Sequence, residues 1–181
     1  MRSHSWGAEA DVPCACGAVL RWGVGQFVQD GELGWDGESW CPACDGGGCL
    51  GFGFDEAPAW VRGPVLERYG PVRVRLVDPA AGRGAALRVL RRALPGTTLA
   101  HAVALAELLA GAGLPGTPAE AGWLCGLLAE QGLAAETVPA LEPEALGTGT
   151  GTGTGTRKAV GTAPGPEADA AAAAWPWPPH A

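Results

Sequence analysis

Two pairs of cysteines are the residues of this 181-residue chain whose type and spacing point most clearly to chemistry. A single alanine separates Cys14 from Cys16, and after 24 intervening residues Cys41 and Cys44 flank a Pro-Ala dipeptide. Four thiolates that arrive as two close pairs from distant points of a chain are typical ligands of tetrahedral zinc. Because four protein ligands leave no open coordination position, we expect a structural zinc and not a catalytic one.

Other cysteines and a histidine leave alternatives open. Cys49 follows Cys44 after Asp-Gly-Gly-Gly and could replace one of the four ligands, and His4 is a second spare ligand. One alternative is a set of unligated thiols, since a one-residue spacing is less usual than the two-residue spacing of most zinc knuckles. Another is a redox pair formed by Cys14 and Cys16, which needs a thiol of low pKa. Cys125 lies in a predicted helix and is expected to be a small buried apolar residue.

The cysteine pairs need a β-rich unit to position them. Residues 1–60 contain five of the eight tryptophans and many glycines, and the runs 18–22 and 25–28 have strand-like composition. No amphipathic helix is evident before Ala59. A unit this small builds little core and normally needs a metal or disulfide staple. Residues 10–50 resemble a zinc ribbon, and this resemblance also implies a structural zinc.

The segment after residue 60 carries patterns of regular structure. Apolar and polar residues alternate over 72–77, which predicts a half-buried strand. Asp78 and Pro79 should end that strand, and Gly82 and Gly84 should prolong the turn. Residues 85–94 place Leu and Val on one helical face and arginines on the other, which predicts an amphipathic helix.

The remaining elements of this segment are marked by caps. Thr97 or Thr98 can cap a helix over Leu99–Ala110, and the connector after it has room for one short strand. Thr117 and Glu120 form a capping-box signature for a last helix that stops at Gly132. A strand over 133–138 completes the order β-α-α-β-α-β. The predicted class is therefore α+β, with a Cys/Trp-rich unit at 1–60 and an α/β domain at 61–140.

Residues 72–139 resemble the C-terminal domain of the bacterial large-subunit ribosomal stalk protein. The predicted element order is the order of that domain, and Arg83, Arg88 and Arg91 have the spacing of its basic helix. The turn Gly96-Thr-Thr-Leu99 and the stretch 117–138 occupy the places of its second turn and of its last helix and strand. The sequence departs from the family at Ala100 and Val103, which stand where lysines are usual.

The resemblance implies a binding function without catalytic activity. The family's domain binds translational GTPases through its basic helical face, so Arg83, Arg88 and Arg91 would be the protein-binding residues. The implied partner is a translational GTPase or the ribosome. The helical dimerisation segment that anchors the stalk protein is missing, and the zinc-ribbon-like unit stands in its place. The chain is therefore expected to be a paralogue that uses the same fold.

Two further interpretations of function stay open. A Clp-type protease adaptor has the same α/β fold, but it recognises its substrates through acidic groups that are not evident between the first strand and helix here. A thiol- or zinc-dependent redox protein is the other. The sequence contains no Ser/His/Asp set or carboxylate pair that stands out, and residues 51–56 lack the helix that a phosphate loop requires. We therefore expect a protein that is not an enzyme.

Charge and composition exclude some classes of partner. The net charge is −7, with nine acidic residues and two arginines in 1–60 but eight arginines and six acidic residues in 61–140. An acidic chain is a poor general binder of nucleic acid. No apolar run approaches the length of a membrane span, and no secretory signal is visible, so we expect a cytoplasmic protein. Residues 141–181, with a Gly-Thr repeat and a Trp-Pro motif, are expected to be a disordered tail.

Overall fold

The computed structural model describes residues 4–140, which form an α+β structure with two antiparallel sheets. The predicted α+β class is confirmed, and the tail predicted over 141–181 lies outside the described residues. The elements, in chain order, are β1 (His4–Pro13), β2 (Val19–Gln29), β3 (Glu32–Cys41), β4 (Gly46–Gly53), α1 (Ala59–Tyr69), β5 (Val72–Leu76), α2 (Pro79–Ala93), α3 (Leu99–Ala110), β6 (Leu114–Gly116), α4 (Pro118–Glu130) and β7 (Ala135–Pro139).

The first sheet is an antiparallel meander in the order β1-β2-β3-β4. Asp30 and Gly31 join β2 to β3 with positive φ angles of 52° and 87°, the two-residue turn that matches the twist of a hairpin. The two strand-like runs at 18–22 and 25–28 belong to the one continuous strand β2. The turns of a meander alternate between the two ends of the sheet, so the turn before β2 and the turn before β4 lie at the same end.

One face of this sheet is covered by α1. The indole of Trp60 packs between Trp22 and Trp35, with ring centroids 6.2 and 5.7 Å away. Gly37 provides the room, because a Cβ atom there would lie 2.5 Å from the Trp60 ring. Helix α1 was not predicted: Gly63 and Pro64 within it are poor helix formers. Burial of apolar residues, with Val61 and Val65 fully buried, outweighs that low propensity.

The second sheet has the order β6-β5-β7, with β5 in the centre and antiparallel to both neighbours. Its core is made mainly by leucines of α2, α3 and α4, including Leu90, Leu105, Leu109 and Leu124. The predicted order β-α-α-β-α-β is confirmed for residues 72–139. Thr98 caps α3, and Thr117 and Glu120 form the predicted capping box of α4.

The prediction for the start of α2 was wrong. The helix begins at Pro79 and includes Gly82 and Gly84, which were expected to lie in a turn. The Asp78 carboxylate accepts a hydrogen bond from the backbone N–H of Ala80 at 3.1 Å, and proline is favoured at a first helical position. Gly82 also packs closely, because a Cβ atom there would lie 3.2 Å from Leu133. Capping and packing therefore outweigh the cost of two glycines.

Helix α4 connects the two parts of the structure. One carboxylate oxygen of Glu120 accepts from the backbone N–H of Thr117 at 2.9 Å. Its other oxygen accepts from Arg62 of α1 at 2.8 Å and from Gln26 of β2 at 3.4 Å. The Trp123 indole N–H donates to the carbonyl of Gly31 at 3.0 Å. Residues predicted to belong to separate domains thus share one buried polar network.

Within the described range, none of the helices combines the length and the apolar character needed to cross a membrane.

Candidate metal centre and arginine-bearing helix

The two cysteine pairs lie at the same end of the first sheet because each pair occupies a turn between antiparallel strands. Cys14 and Cys16 lie in the turn from β1 to β2, which is closed by hydrogen bonds from Cys14 N–H to Ala18 O and from Gly17 N–H to Cys14 O. Cys41 is the last residue of β3, and Cys44 lies in the turn that leads to β4. The meander therefore brings together four thiols that are far apart in the sequence.

The four sulfur atoms form a compact cluster, all within 4.8 Å of one another. Cys14 Sγ lies 3.8 Å from Cys44 Sγ, and Cys16 Sγ lies 3.6 Å from Cys41 Sγ. Tetrahedral zinc with Zn–S bonds of about 2.3 Å requires sulfur atoms about 3.8 Å apart. Each of these short contacts joins one turn to the other, so a bound ion would tie the turns together. Donor set and spacing both fit zinc, and the small β unit is compatible with a zinc ribbon.

The cluster is sheltered on one side only. Cys41 is fully buried, Cys14 is half-buried, and Cys16 and Cys44 are exposed. The buried side faces the sheet and the exposed side faces solvent, so an ion could enter without unfolding of the sheet. Gly47 lets β4 approach β3 directly after the turn, because a Cβ atom there would lie 2.2 Å from the carbonyl oxygen of Ser39.

The pKa values of the clustered thiols differ strongly from one another. The pKa of Cys41 is lowered to about 6, mainly because its sulfur accepts a hydrogen bond from the backbone N–H of Cys44. The hydrogen bond with the Cys41 sulfur is the main cause that raises the pKa of Cys44 to about 12. At Cys14 the backbone N–H of Cys16 lowers the pKa, but the neighbouring thiols outweigh it and the pKa is raised. Near neutral pH the metal-free cluster thus holds a thiolate at Cys41 and protons at Cys44 and Cys14, which a zinc ion would displace.

The spare ligands are not part of this cluster. Cys49 lies within β4 opposite Glu38, and it is exposed. The backbone of His4 begins β1, at the opposite end of the ten-residue strand from Cys14; its side chain is outside the described part. Cys125 packs against the core of the second unit, and burial raises the pKa of its thiol. The four cysteines favoured by their spacing are therefore the four that the fold brings together.

The three predicted protein-binding arginines are all exposed on α2. Arg83 forms an ion pair with Glu107 of α3, with 2.5 Å between Nη2 and the carboxylate. Arg88 lines a cleft of about 600 Å³ between the two parts of the structure. Arg91 forms no ion pair with any residue in the range 4–140.

Sequence analysis missed Arg92, which lines the same cleft as Arg88. The signal was present, because residues four apart lie on the same side of a helix. Across the cleft lie Asp55, Glu56 and Trp123. The basic surface of α2 thus divides into a part beside α3 and a part that faces the cleft.

No protein-family model, curated protein or solved structure matches this chain. The resemblance of residues 72–139 to the ribosomal stalk domain therefore stays a prediction.

Proposed function

We propose that this protein is a non-enzymatic interaction module in which a structural zinc supports the β unit and α2 docks on an acidic protein surface. The resemblance to the stalk domain supplies the partner class, a translational GTPase on the ribosome. Arg83, Arg88 and Arg91 are the contact residues, and Arg92 extends the contact toward the cleft.

The observation that carries this proposal is the charge of α2. The helix contains four arginines and no acidic residue, in a chain whose net charge is −7. All four arginines are exposed. Guanidinium groups form charge-assisted, bidentate hydrogen bonds with carboxylates. A concentration of positive charge on an acidic molecule orients an acidic partner and gives specificity.

The zinc has a supporting role in this proposal. Among the described residues, the apolar cluster between the first sheet and α1 is small: its buried members are Ala8, Val24, Ala57 and Val61, together with the packed tryptophans. Two of the four are alanines, which bury little area. A metal that ties the two turns at the end of the sheet would offset this small core, as in other domains that rely on structural zinc.

The test measures binding of the full chain to a purified translational GTPase, in its GTP-bound form. Arg83→Ala, Arg88→Ala and Arg91→Ala are combined in one variant, and Arg75→Ala is the matched control. Arg75 is also an exposed, ion-paired arginine, but it lies on β5 and pairs with Glu136. We expect the triple variant to weaken binding by at least about tenfold and the control to leave it unchanged.

Salt provides a second measurement. Binding through exposed arginines weakens as ionic strength rises, because the charges are screened over about 10 Å at 0.1 M salt. Equal affinities of the triple variant and the unaltered chain would contradict the proposed face. Failure of the GTPase to bind either chain would contradict the partner class.

A further inference from the structure

Strand β4 forms an open edge of the first sheet. The sheet order is β1-β2-β3-β4, so β3 is its only strand neighbour in the described chain. No described helix packs extensively against β4. An edge strand presents a row of backbone N–H and C=O groups that can pair with another extended chain. Within residues 4–140, the outer side of β4 has no strand partner.

The two edges of this sheet differ in their protection. Native proteins protect sheet edges with charged residues, prolines or covering elements. Strand β1 has Glu9, Asp11 and a terminal Pro13, and the hydroxyl of Tyr69 in α1 donates to the carbonyl of Gly7 at 2.9 Å. Strand β4 reads Gly-Gly-Gly-Cys-Leu-Gly-Phe-Gly and contains no charged residue, and a register shift that leaves Leu50 without a partner on β3 is its one irregularity. Its composition does not block pairing.

Apolar side chains accompany this edge. Leu50, Phe52 and Phe54 are 48%, 73% and 54% exposed. Phe52 lies opposite Asp36 in the register, on the face that α1 leaves open, and Phe54 packs edge-on against Phe27 at 5.8 Å on that face. An added strand would bring side chains at alternate positions against Phe52 and Phe54, because side chains two residues apart share a face.

The charges around β4 indicate which kind of extended segment would pair with this edge. Asp45 precedes the strand, and Asp36 and Glu38 lie opposite on β3. Asp55 follows the strand, but its carboxylate accepts a hydrogen bond from the Trp35 indole at 2.9 Å and lines the cleft that contains Arg88 and Arg92. A second copy of β4 would bring its own Asp45 to this acidic edge, and like charges placed opposite destabilise a strand pair. A segment with basic residues at its ends would instead find carboxylates there.

We propose that β4 is a strand-addition site for an extended peptide segment with apolar residues at alternate positions and Lys or Arg at its ends. Backbone hydrogen bonds to the outer side of β4 provide affinity. Phe52 and Phe54 select apolar side chains, and the carboxylates of Asp36, Glu38 and Asp45 attract the basic ends. This site lies on a different element from the arginines of α2, and only its C-terminal end, Phe54 and Asp55, lines the cleft that also contains Arg88 and Arg92.

The test uses a fluorescent peptide, Lys-Lys-Val-Thr-Val-Thr-Val-Lys-Lys, and a counterpart with Glu in place of each Lys. Anisotropy is measured with the full chain. We expect saturable binding of the basic peptide and at least about tenfold weaker binding of the acidic one. Equal binding of both peptides, or no saturable binding of the basic one, would overturn the proposal.

Variants locate the site. Phe52→Lys and Leu50→Lys place a charge on the edge and should weaken binding by at least about tenfold. Val19→Lys is the matched control, because Val19 is also exposed (55%) but begins β2, away from β4. An equal loss in the control would overturn the assignment to β4. Hydrogen exchange on the unaltered chain gives a measurement that does not depend on folding of the variants: the basic peptide should slow amide exchange in β4, and slowing confined to β1 would contradict the site.

Other occupants are outcomes of the same experiment. A molar mass of twice the chain in solution, reduced to one chain by Phe52→Lys, would assign β4 to a second copy and overturn the proposal. A full chain with Trp175→Ala and Trp177→Ala should bind the basic peptide with unchanged affinity. A gain of about tenfold or more would mean that the chain's own C-terminal segment competes for the edge, which would also overturn it.

Discussion

At the scale of single residues, the Glu120 carboxylate has the most partners. It closes the capping box of α4 with Thr117 and accepts hydrogen bonds from Arg62 and Gln26. Both Glu120 and Arg62 are almost fully buried. A buried charge is tolerated when it is paired and hydrogen-bonded, and it becomes costly when one partner is removed. The geometry therefore gives Glu120 a structural role.

Replacement of this carboxylate tests that conclusion. Glu120→Gln keeps the size of the side chain and its capacity to complete a capping box, but it removes the charge that compensates the buried Arg62 guanidinium. We expect a loss of about 3 kcal/mol in the free energy of unfolding, measured with urea. Glu136→Gln breaks the exposed ion pair with Arg75, and as a control it should change stability by no more than about 0.5 kcal/mol. Similar losses for the two variants would contradict the structural role.

At the scale of elements, the β3–β4 hairpin determines whether the four thiols meet. Cys41 ends β3 and Gly46 begins β4, so the separation of these strands fixes the position of Cys44. Gly47 is the closest point of approach, whereas a Cβ atom added to Gly48 beside it would have no neighbouring atom within 4 Å. A methyl group would therefore collide with β3 at Gly47 but would enter open space at Gly48.

These glycines provide a matched pair of variants. Gly47→Ala should force β4 away from Ser39, lowering zinc affinity and costing about 1–3 kcal/mol of stability. Gly48→Ala adds the same methyl group into open space and should have a small effect on both. Zinc content and thermal unfolding measure the outcome. A Gly47→Ala chain that retains zinc as well as Gly48→Ala would contradict the role given to the close approach.

The value of sequence analysis also differs between elements. The cysteine spacing and the Thr117–Glu120 capping box are local signals: the fold brings the four cysteines together, as the spacing predicted, and the capping box is present. Helix α1 was missed because Gly63 and Pro64 weaken the local pattern, while the burial that stabilises it comes from the first sheet. The ion pair between Arg62 and Glu120 joins residues 58 positions apart, and no periodicity indicates such a pair. Signals within one turn could be interpreted from the sequence, and those created by tertiary packing could not.

At the scale of the whole molecule, the two parts form a continuous structure over residues 4–140. Helix α1 begins at Ala59, so the domain boundary predicted after residue 60 falls inside a helix that packs on the first sheet. Helix α4 contributes to the core of the second part and also contacts the first through Glu120 and Trp123. Loss of order in one part should therefore affect the other.

Metal removal tests this coupling. A chelator should lower the midpoint of thermal unfolding of the zinc-loaded chain, because release of the ion frees the two turns that it ties together. Far-ultraviolet circular dichroism and tryptophan fluorescence should shift together if unfolding is one cooperative transition. Cys41→Ser should abolish the effect of the chelator, and Cys49→Ser, outside the cluster, should preserve it. Two separate transitions would contradict the coupling between the parts.

The network centred on Glu120 also has a consequence for how this protein can evolve. Gln26 of β2 and Arg62 of α1 both donate hydrogen bonds to the carboxylate of Glu120 on α4. A substitution at one of these positions changes what is acceptable at the other two, so we expect the three to be inherited as a set. Recombination that joined the β unit to a different α/β partner would separate that set and leave a buried charge uncompensated. We therefore expect related proteins to contain the β unit and the α/β part together.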